Sequence, residues 1–221
     1  EILIGLVGSE MCIRDRAVLY VNVGDYKNVW DELIRDIPQM RELATEYFDN
    51  WKDTKAFATK ALSASQINNS DVVTDNNRDD NSKNITADNS SEDTSDNITG
   101  IHGFYHKNIF EAVYCTNLLM RSADVLVTKP SELAFYPVPK LFIKRVGGHE
   151  QWGAVHSAEI GDGTLECRDI PHTLQMIKLF MEDDTYIIDM CKNIKKNKQM
   201  GIYNGAYEAV KLAVNMKKSD I

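Results

Sequence analysis

The densest run of chemically versatile residues lies between Ser122 and Gly163. Thr128-Lys129-Pro130-Ser131-Glu132 ends a short apolar stretch, and Lys144-Arg145 precedes Gly147-Gly148-His149-Glu150-Gln151. A lysine beside backbone N–H groups at a helix start, as Ser131 would cap here, suits an anion. A carboxylate such as Glu132 can hold a ribose diol through two hydrogen bonds. A glycine pair lets backbone approach a ligand closely, and His149, Glu150 and Gln151 suit sugar hydroxyls. Upstream, Gly24-Asp25 closes another apolar run in a tight loop. Each feature also has a plain structural reading. Lys129-Pro130 can be a strand-end turn, Glu132 a solvated helix-start carboxylate, and His149 a cap. His102 and His106 read as ordinary loop histidines, His156 and His172 as surface or core residues. The aromatics of 109–120 read as core. No histidine, cysteine and acid spacing suggests a metal.

These residues need elements to hold them. Residues 17–23 form an apolar run that reads as a buried strand. Residues 28–37 show helical spacing, with Val29, Trp30, Leu33 and Ile37 on one side. Pro38 interrupts, and a second helix is expected over 39–62. Beyond residue 98 the pattern predicts strands at 101–105, 125–128 and 140–145, with a helix over 109–122. A brief helix to Tyr136 and one over 150–160 follow, the latter stopped by Gly161-Asp162-Gly163. An edge strand is expected at 165–167. Three more helices are expected: from Asp169 or Thr173 to about Met181, over 185–196, and over 203–216. Alternation of strand and helix predicts an α/β fold, a Rossmann-like parallel sheet with helices on both faces. In such sheets ligands sit outside the carboxyl ends of the strands. That singles out the loops at Gly24-Asp25, 102–106, 128–132 and 145–151.

The chain has 221 residues, a formal charge of -8 and 43% hydrophobic residues, enough for one domain with a proper core. The charge is local. Residues 65–99 hold eight Asn, seven Asp, six Ser and four Thr, with eight acids against two bases. So polar a segment cannot offset the entropy of ordering, and it reads as a disordered insertion. The remainder is nearly neutral, so the acidic balance points to no partner and gives no reason to expect nucleic acid. No stretch has the roughly 18 apolar residues of a membrane span. Cys115, Cys167 and Cys191 share no CxxC spacing and suit buried thiols in a reduced, cytoplasmic protein.

The opening residues fit no element. Leu6 to Asp15, Leu-Val-Gly-Ser-Glu-Met-Cys-Ile-Arg-Asp, resembles the translated end of a transposase-based sequencing adapter. Residues 1–16 are therefore set aside as a scar. That leaves a native domain over 17–217, interrupted by the 65–99 insertion.

The stretch 122–163 resembles the C-terminal, nucleotide-sugar-binding half of GT-B glycosyltransferases. The likeness is to the enzyme that adds N-acetylglucosamine to the peptidoglycan lipid precursor, and to monogalactosyldiacylglycerol synthase. It rests on Ala123 to Pro130, on Val138-Pro139-Lys140-Leu141-Phe142-Ile143, and on Gly148 to Ala154 with Gly161-Asp162-Gly163. Val21-Asn22-Val23-Gly24-Asp25 stands where that family has its first strand and glycine loop, and 101–124 resembles its next conserved segment. The sequence departs from the pattern at Ser131-Glu132-Leu133, which compresses a longer loop and helix, and at Gly153, where the family has asparagine. The resemblance implies transfer of a sugar from a nucleotide-diphosphate donor, with the acceptor half and general base on an N-terminal half not present here. It places Glu132 on ribose, the Gly24 loop and Lys129 near the phosphates, and His149, Glu150 and Gln151 toward the sugar. Thr128, Ser131, Gly147, Gly148 and Asp25 complete the expected donor contacts. No catalytic residue is assigned, and no cofactor beyond the donor is implied. Expected partners are the donor and the N-terminal half or a partner subunit, with peripheral membrane contact through that half. Taken alone, the chain is expected to bind donor weakly and not to turn over. The rival readings are a non-catalytic nucleotide-sugar-binding subunit and a sugar-nucleotide epimerase of the same fold.

Overall fold

The structure is a computed structural model that describes residues 2–6, 17–70 and 98–219. Six strands form one sheet: β1 (Ile2–Leu6), β2 (Ala17–Asn22), β3 (Ala44–Phe48), β4 (Gly100–Phe104), β5 (Val125–Thr128) and β6 (Lys140–Phe142). Their order across the sheet is β3-β4-β2-β1-β5-β6. The pairs β2–β4, β3–β4 and β5–β6 are parallel. Strand β1 runs antiparallel to both β2 and β5. The expectation of a wholly parallel sheet is thus corrected at its centre, by residues that the sequence reading had set aside. The rest of that set-aside segment, and residues 71–97 of the expected insertion, lie outside the described residues.

The described helices are α1 (Lys27–Asp36), α2 (Pro38–Leu43), α3 (Trp51–Ser70), α4 (Ile109–Leu119), α5 (Gln151–Ile160), α6 (Ile170–Glu182), α7 (Thr185–Gln199) and α8 (Gly205–Ser219). Period-two alternation along the strands divides the core between two faces. Val18, Tyr20, Phe104 and Leu126 pack with Phe57, Ala61, Cys115 and Leu119 from α3 and α4. On the other face Val21 and Ile101 meet Trp30 of α1 and Met40 of α2. There too Val125, Val127 and Leu141 meet Phe180 and Ile187 of α6 and α7. Gly103 makes room for this arrangement, because a Cβ there would stand 2.6 Å from the Trp30 ring.

The helix expected over 39–62 is two helices with β3 between them. Ala44-Thr45-Glu46-Tyr47-Phe48 carries β-favouring residues, and pairing with β4 decides their conformation. Asn50 then starts α3, accepting a hydrogen bond from the Asp53 N–H at 3.0 Å. That helix runs to Ser70, past residue 65 where the insertion was expected to begin. The strand expected at 140–145 stops at Phe142. Residues 165–167 form no strand, although the Cys167 N–H donates to the Phe142 carbonyl at 2.8 Å. Cys115 and Cys167 are buried as expected, whereas Cys191 is exposed. No described helix is long and apolar enough to cross a membrane.

Candidate strand-end site

β2 and β5 both run opposite to β1, so the carboxyl ends of β2, β4, β5 and β6 lie on one edge of the sheet. The Gly24 loop leaves β2 there, and the Lys129 loop leaves β5. One strand separates β2 from β5, which puts their axes about 10 Å apart. Ile2 of β1 lies level with Val21 and Val127 between them.

The Lys129 end is built on charge. Thr128 is buried, and its carbonyl accepts from the Ile143 N–H at 2.9 Å, tying the exits of β5 and β6 together. Lys129 follows with its side chain 44% exposed and donates to Glu150 Oε1 at 2.5 Å. Glu150 Oε2 accepts from the N–H groups of Val146 and Gly147 at 2.8 and 3.0 Å. Lys129 and these two amides hold the Glu150 carboxyl down at about 2. The Arg145 guanidinium and its N–H both donate to the Glu166 carboxylate, at 2.8 and 3.0 Å. The loop 145–150 is thus folded around two internal carboxylates. Glu150, expected to face sugar hydroxyls, is itself buried and engaged by the loop.

The other expected contacts surround this pair. Ser131 does not cap with its side chain; its N–H donates to the Lys129 carbonyl at 2.8 Å, closing a tight turn. The expected helix start is a single 3-10 turn, Glu132–Phe135, too short to concentrate a helix dipole. Glu132 opens that turn, and its side chain lies outside what is described. Gly148, His149 and Gln151 are exposed. A Cβ at Gly147 would stand 2.7 Å from a ring carbon of the exposed His149, which would have to turn aside. Gly153, where the resembled family has asparagine, lets α5 close on the Lys129 loop: a Cβ there would stand 2.7 Å from the Pro130 carbonyl.

The Gly24 end is held by hydrogen bonds between neutral groups. Gly24 has φ +66°, a left-handed conformation that favours glycine. Its N–H donates to Asn22 Oδ1 at 2.9 Å, and its carbonyl accepts from the His106 N–H at 3.0 Å. The buried Asn22 amide donates to the Ala112 carbonyl and Thr116 Oγ1 of α4 at 2.9 and 2.8 Å. Asp25 beside it is exposed. Of the two expected loop histidines, His106 lies in the loop after β4 but His102 lies within β4, and both are buried. His106 Nε2 lies 3.1 Å from Thr54 Oγ1, and His102 Nε2 lies 3.0 Å from the Thr99 carbonyl. Burial pushes both imidazoles below their ordinary pKa. The aromatics of α4 differ from expectation too, because Phe110 and Tyr114 are exposed. His156 is half-buried and lies against Phe135, and His172 is half-buried on α6.

One cluster escaped the sequence reading. Lys140 and Asp162 form an ion pair at 2.8 Å with both side chains fully buried. Lys140 also donates to the carbonyls of Tyr136 and Val138 at 2.7 and 2.9 Å. Tyr203 donates its hydroxyl to Asp162 Oδ2 at 2.8 Å, and burial pushes the Tyr203 phenol up. Burial pushes the Lys140 ammonium down. The signal was a lysine inside an apolar strand and an aspartate between glycines, but nothing in their spacing joins them to Tyr203. The network staples β6 to the end of α5, where Asn193 and Asn197 of α7 also donate to the Gly161 and Ile160 carbonyls.

A groove of about 400 Å³ lies elsewhere, along α6, lined by His172, Gln175, Met176, Lys178, Leu179 and Glu182. Among the described residues no group of three His, Cys, Asp or Glu side chains is placed to hold a metal ion.

A family model described as "Domain of unknown function (DUF6938)" matches residues 3–89 and 65–214. The chain belongs to this DUF6938 family. The two matched stretches overlap within the Asn/Asp/Ser-rich region, and the first begins inside the residues set aside as a scar. No curated protein and no solved structure matches the chain.

Proposed function

We propose that this DUF6938 domain is a Rossmann-like nucleotide-sugar-binding unit, the donor half of a GT-B glycosyltransferase. The observation that carries the reading is the single sheet edge shared by the Gly24 turn and the Lys129–Glu150 loop. Such edges are where open α/β sheets bind ligands. In this reading the donor diphosphate lies between Gly24 and Lys129. Glu150 acts on the sugar indirectly, by aiming Lys129 and ordering Val146 and Gly147. Glu132 holds the ribose, and the exposed His149 and Gln151 face the sugar. A lysine placed where negative charge grows on the departing diphosphate stabilises the transition state. The acceptor site and general base belong to another half or subunit, and the protein works in the cytoplasm.

The test is a panel of nucleoside diphosphates and their sugar conjugates, read by thermal shift on the wild type and Lys129→Met. The reading expects at least one diphosphate to raise the melting temperature of the wild type alone. Equal shifts in both, or none for any nucleotide, would remove it. The compact 3-10 turn at Glu132–Phe135, in place of a longer loop, favours the second reading of a non-catalytic nucleotide-sugar-binding subunit. The recombined full protein separates the two: donor binding without donor hydrolysis or transfer supports the subunit.

A further inference from the structure

α8, Gly205–Ser219, is exposed along its described length. Its main neighbour among the described elements is the 3-10 turn Ile202–Asn204 before it. Five large apolar side chains face outward: Tyr207, Val210, Leu212, Val214 and Met216, exposed by 67%, 65%, 62%, 49% and 60%. With Ala206, Ala209 and Ala213 they cover more than half of the helix circumference at 3.6 residues per turn. Glu208, Lys211 and Asn215 recur at helical spacing on the remaining side. Residues 192–218 carry seven lysines against one glutamate, in a chain whose formal charge is -8. Lys192, Lys195, Lys196 and Lys198 on α7 are all exposed.

An apolar helix face beside a local excess of lysine suits an anionic bilayer surface. The apolar side chains enter the acyl boundary while the lysines meet acidic headgroups. A groove on another protein asks for an apolar stripe but not for this concentration of one charge sign. We propose that α8 is an amphipathic membrane-surface helix, which docks the domain on anionic lipid with the help of the α7 lysines. The contact belongs to this chain's own carboxyl-terminal helices and is independent of the donor-site proposal.

The experiment is sedimentation of the full chain with vesicles of phosphatidylcholine holding about one third phosphatidylserine, against pure phosphatidylcholine. The wild type is expected to bind the anionic vesicles and to release them as salt is raised. Val210→Asp with Val214→Asp is expected to weaken binding by about tenfold or more, with circular dichroism unchanged. Lys195→Gln, Lys196→Gln and Lys198→Gln together test the charge without touching an apolar residue, and are expected to shift binding to lower salt. Absence of binding at low salt, or equal binding to neutral vesicles, overturns the proposal. So does an α8-dependent dimer that ignores vesicles, which would make a second copy the occupant.

Discussion

Lys129 and Lys140 stand eleven residues apart, each beside a carboxylate, in opposite surroundings. Lys140 and Asp162 are wholly buried. In the interior the attraction of two charges is strong but so is the cost of desolvating them, so such a pair contributes placement more than net stability. It joins β6 to the turn after α5 and, through Tyr203, to the connection between α7 and α8. Lys129 is nearly half exposed, and its carboxylate partner is held by backbone amides of a loop at the sheet edge. Solvent can reach this pair, and a bound anion can compete with it. The difference separates a pair that fixes architecture from a pair that can work on a ligand.

The largest expected effect breaks the buried pair. Lys140→Met leaves Asp162 as an uncompensated buried charge and should cost about 3–5 kcal/mol in chemical denaturation. Adding Asp162→Leu to it should recover most of that loss, since two apolar residues leave no charge behind. A single-variant cost under about 1 kcal/mol would erase the contrast. Next comes Gly153→Ala, which sets a methyl against the Pro130 carbonyl and should cost about 1–3 kcal/mol. The same variant should displace the Lys129 loop, visible as altered amide shifts for residues 129–134. Lys129→Met should then cost less stability than Lys140→Met, because the Val146 and Gly147 amides still hold the Glu150 carboxylate, while abolishing diphosphate binding. A stability loss as large as that of Lys140→Met would make Lys129 an architectural residue too.

The smallest expected difference is one of pH slope. The Glu150 carboxyl is depressed from its ordinary 4.5 to about 2. Its contribution is therefore present above about 4.5 and disappears as pH falls toward 2. Glu150→Gln should flatten the denaturation profile in that window. An unchanged slope would mean that Lys129 and the two amides do not hold the carboxylate in solution.

The contrast also explains what could be read beforehand. Lys129 was legible because a strand, a proline turn and a glycine pair mark a loop at a sheet edge, and such marks are local. β2, β5 and α5 were legible for the same reason, with Gly161 at φ +73° stopping α5. The Lys140–Asp162–Tyr203 network was not, because its members meet only through the fold. β3 was hidden because residues 39–62 read as one helix, and only the ladder to β4 turns 44–48 into a strand. Glu150 was assigned to a ligand when its donors are Lys129 and the amides three and four residues before it. Local hydrogen bonds within a loop compete with ligand contacts, and residue type alone does not tell which prevails.

The most direct test of the donor-site account is a titration of uridine diphosphate into isotope-labelled chain, followed by backbone amide shifts. The account predicts movement at Gly24, Asp25, Thr128 to Ser131 and Val146 to Gln151 by a concentration of about 1 mM, lost in Lys129→Met. If other diphosphates are needed, the same residues must move with them. Shifts confined to the α6 groove around His172 and Lys178, or no shifts with any diphosphate, would contradict it.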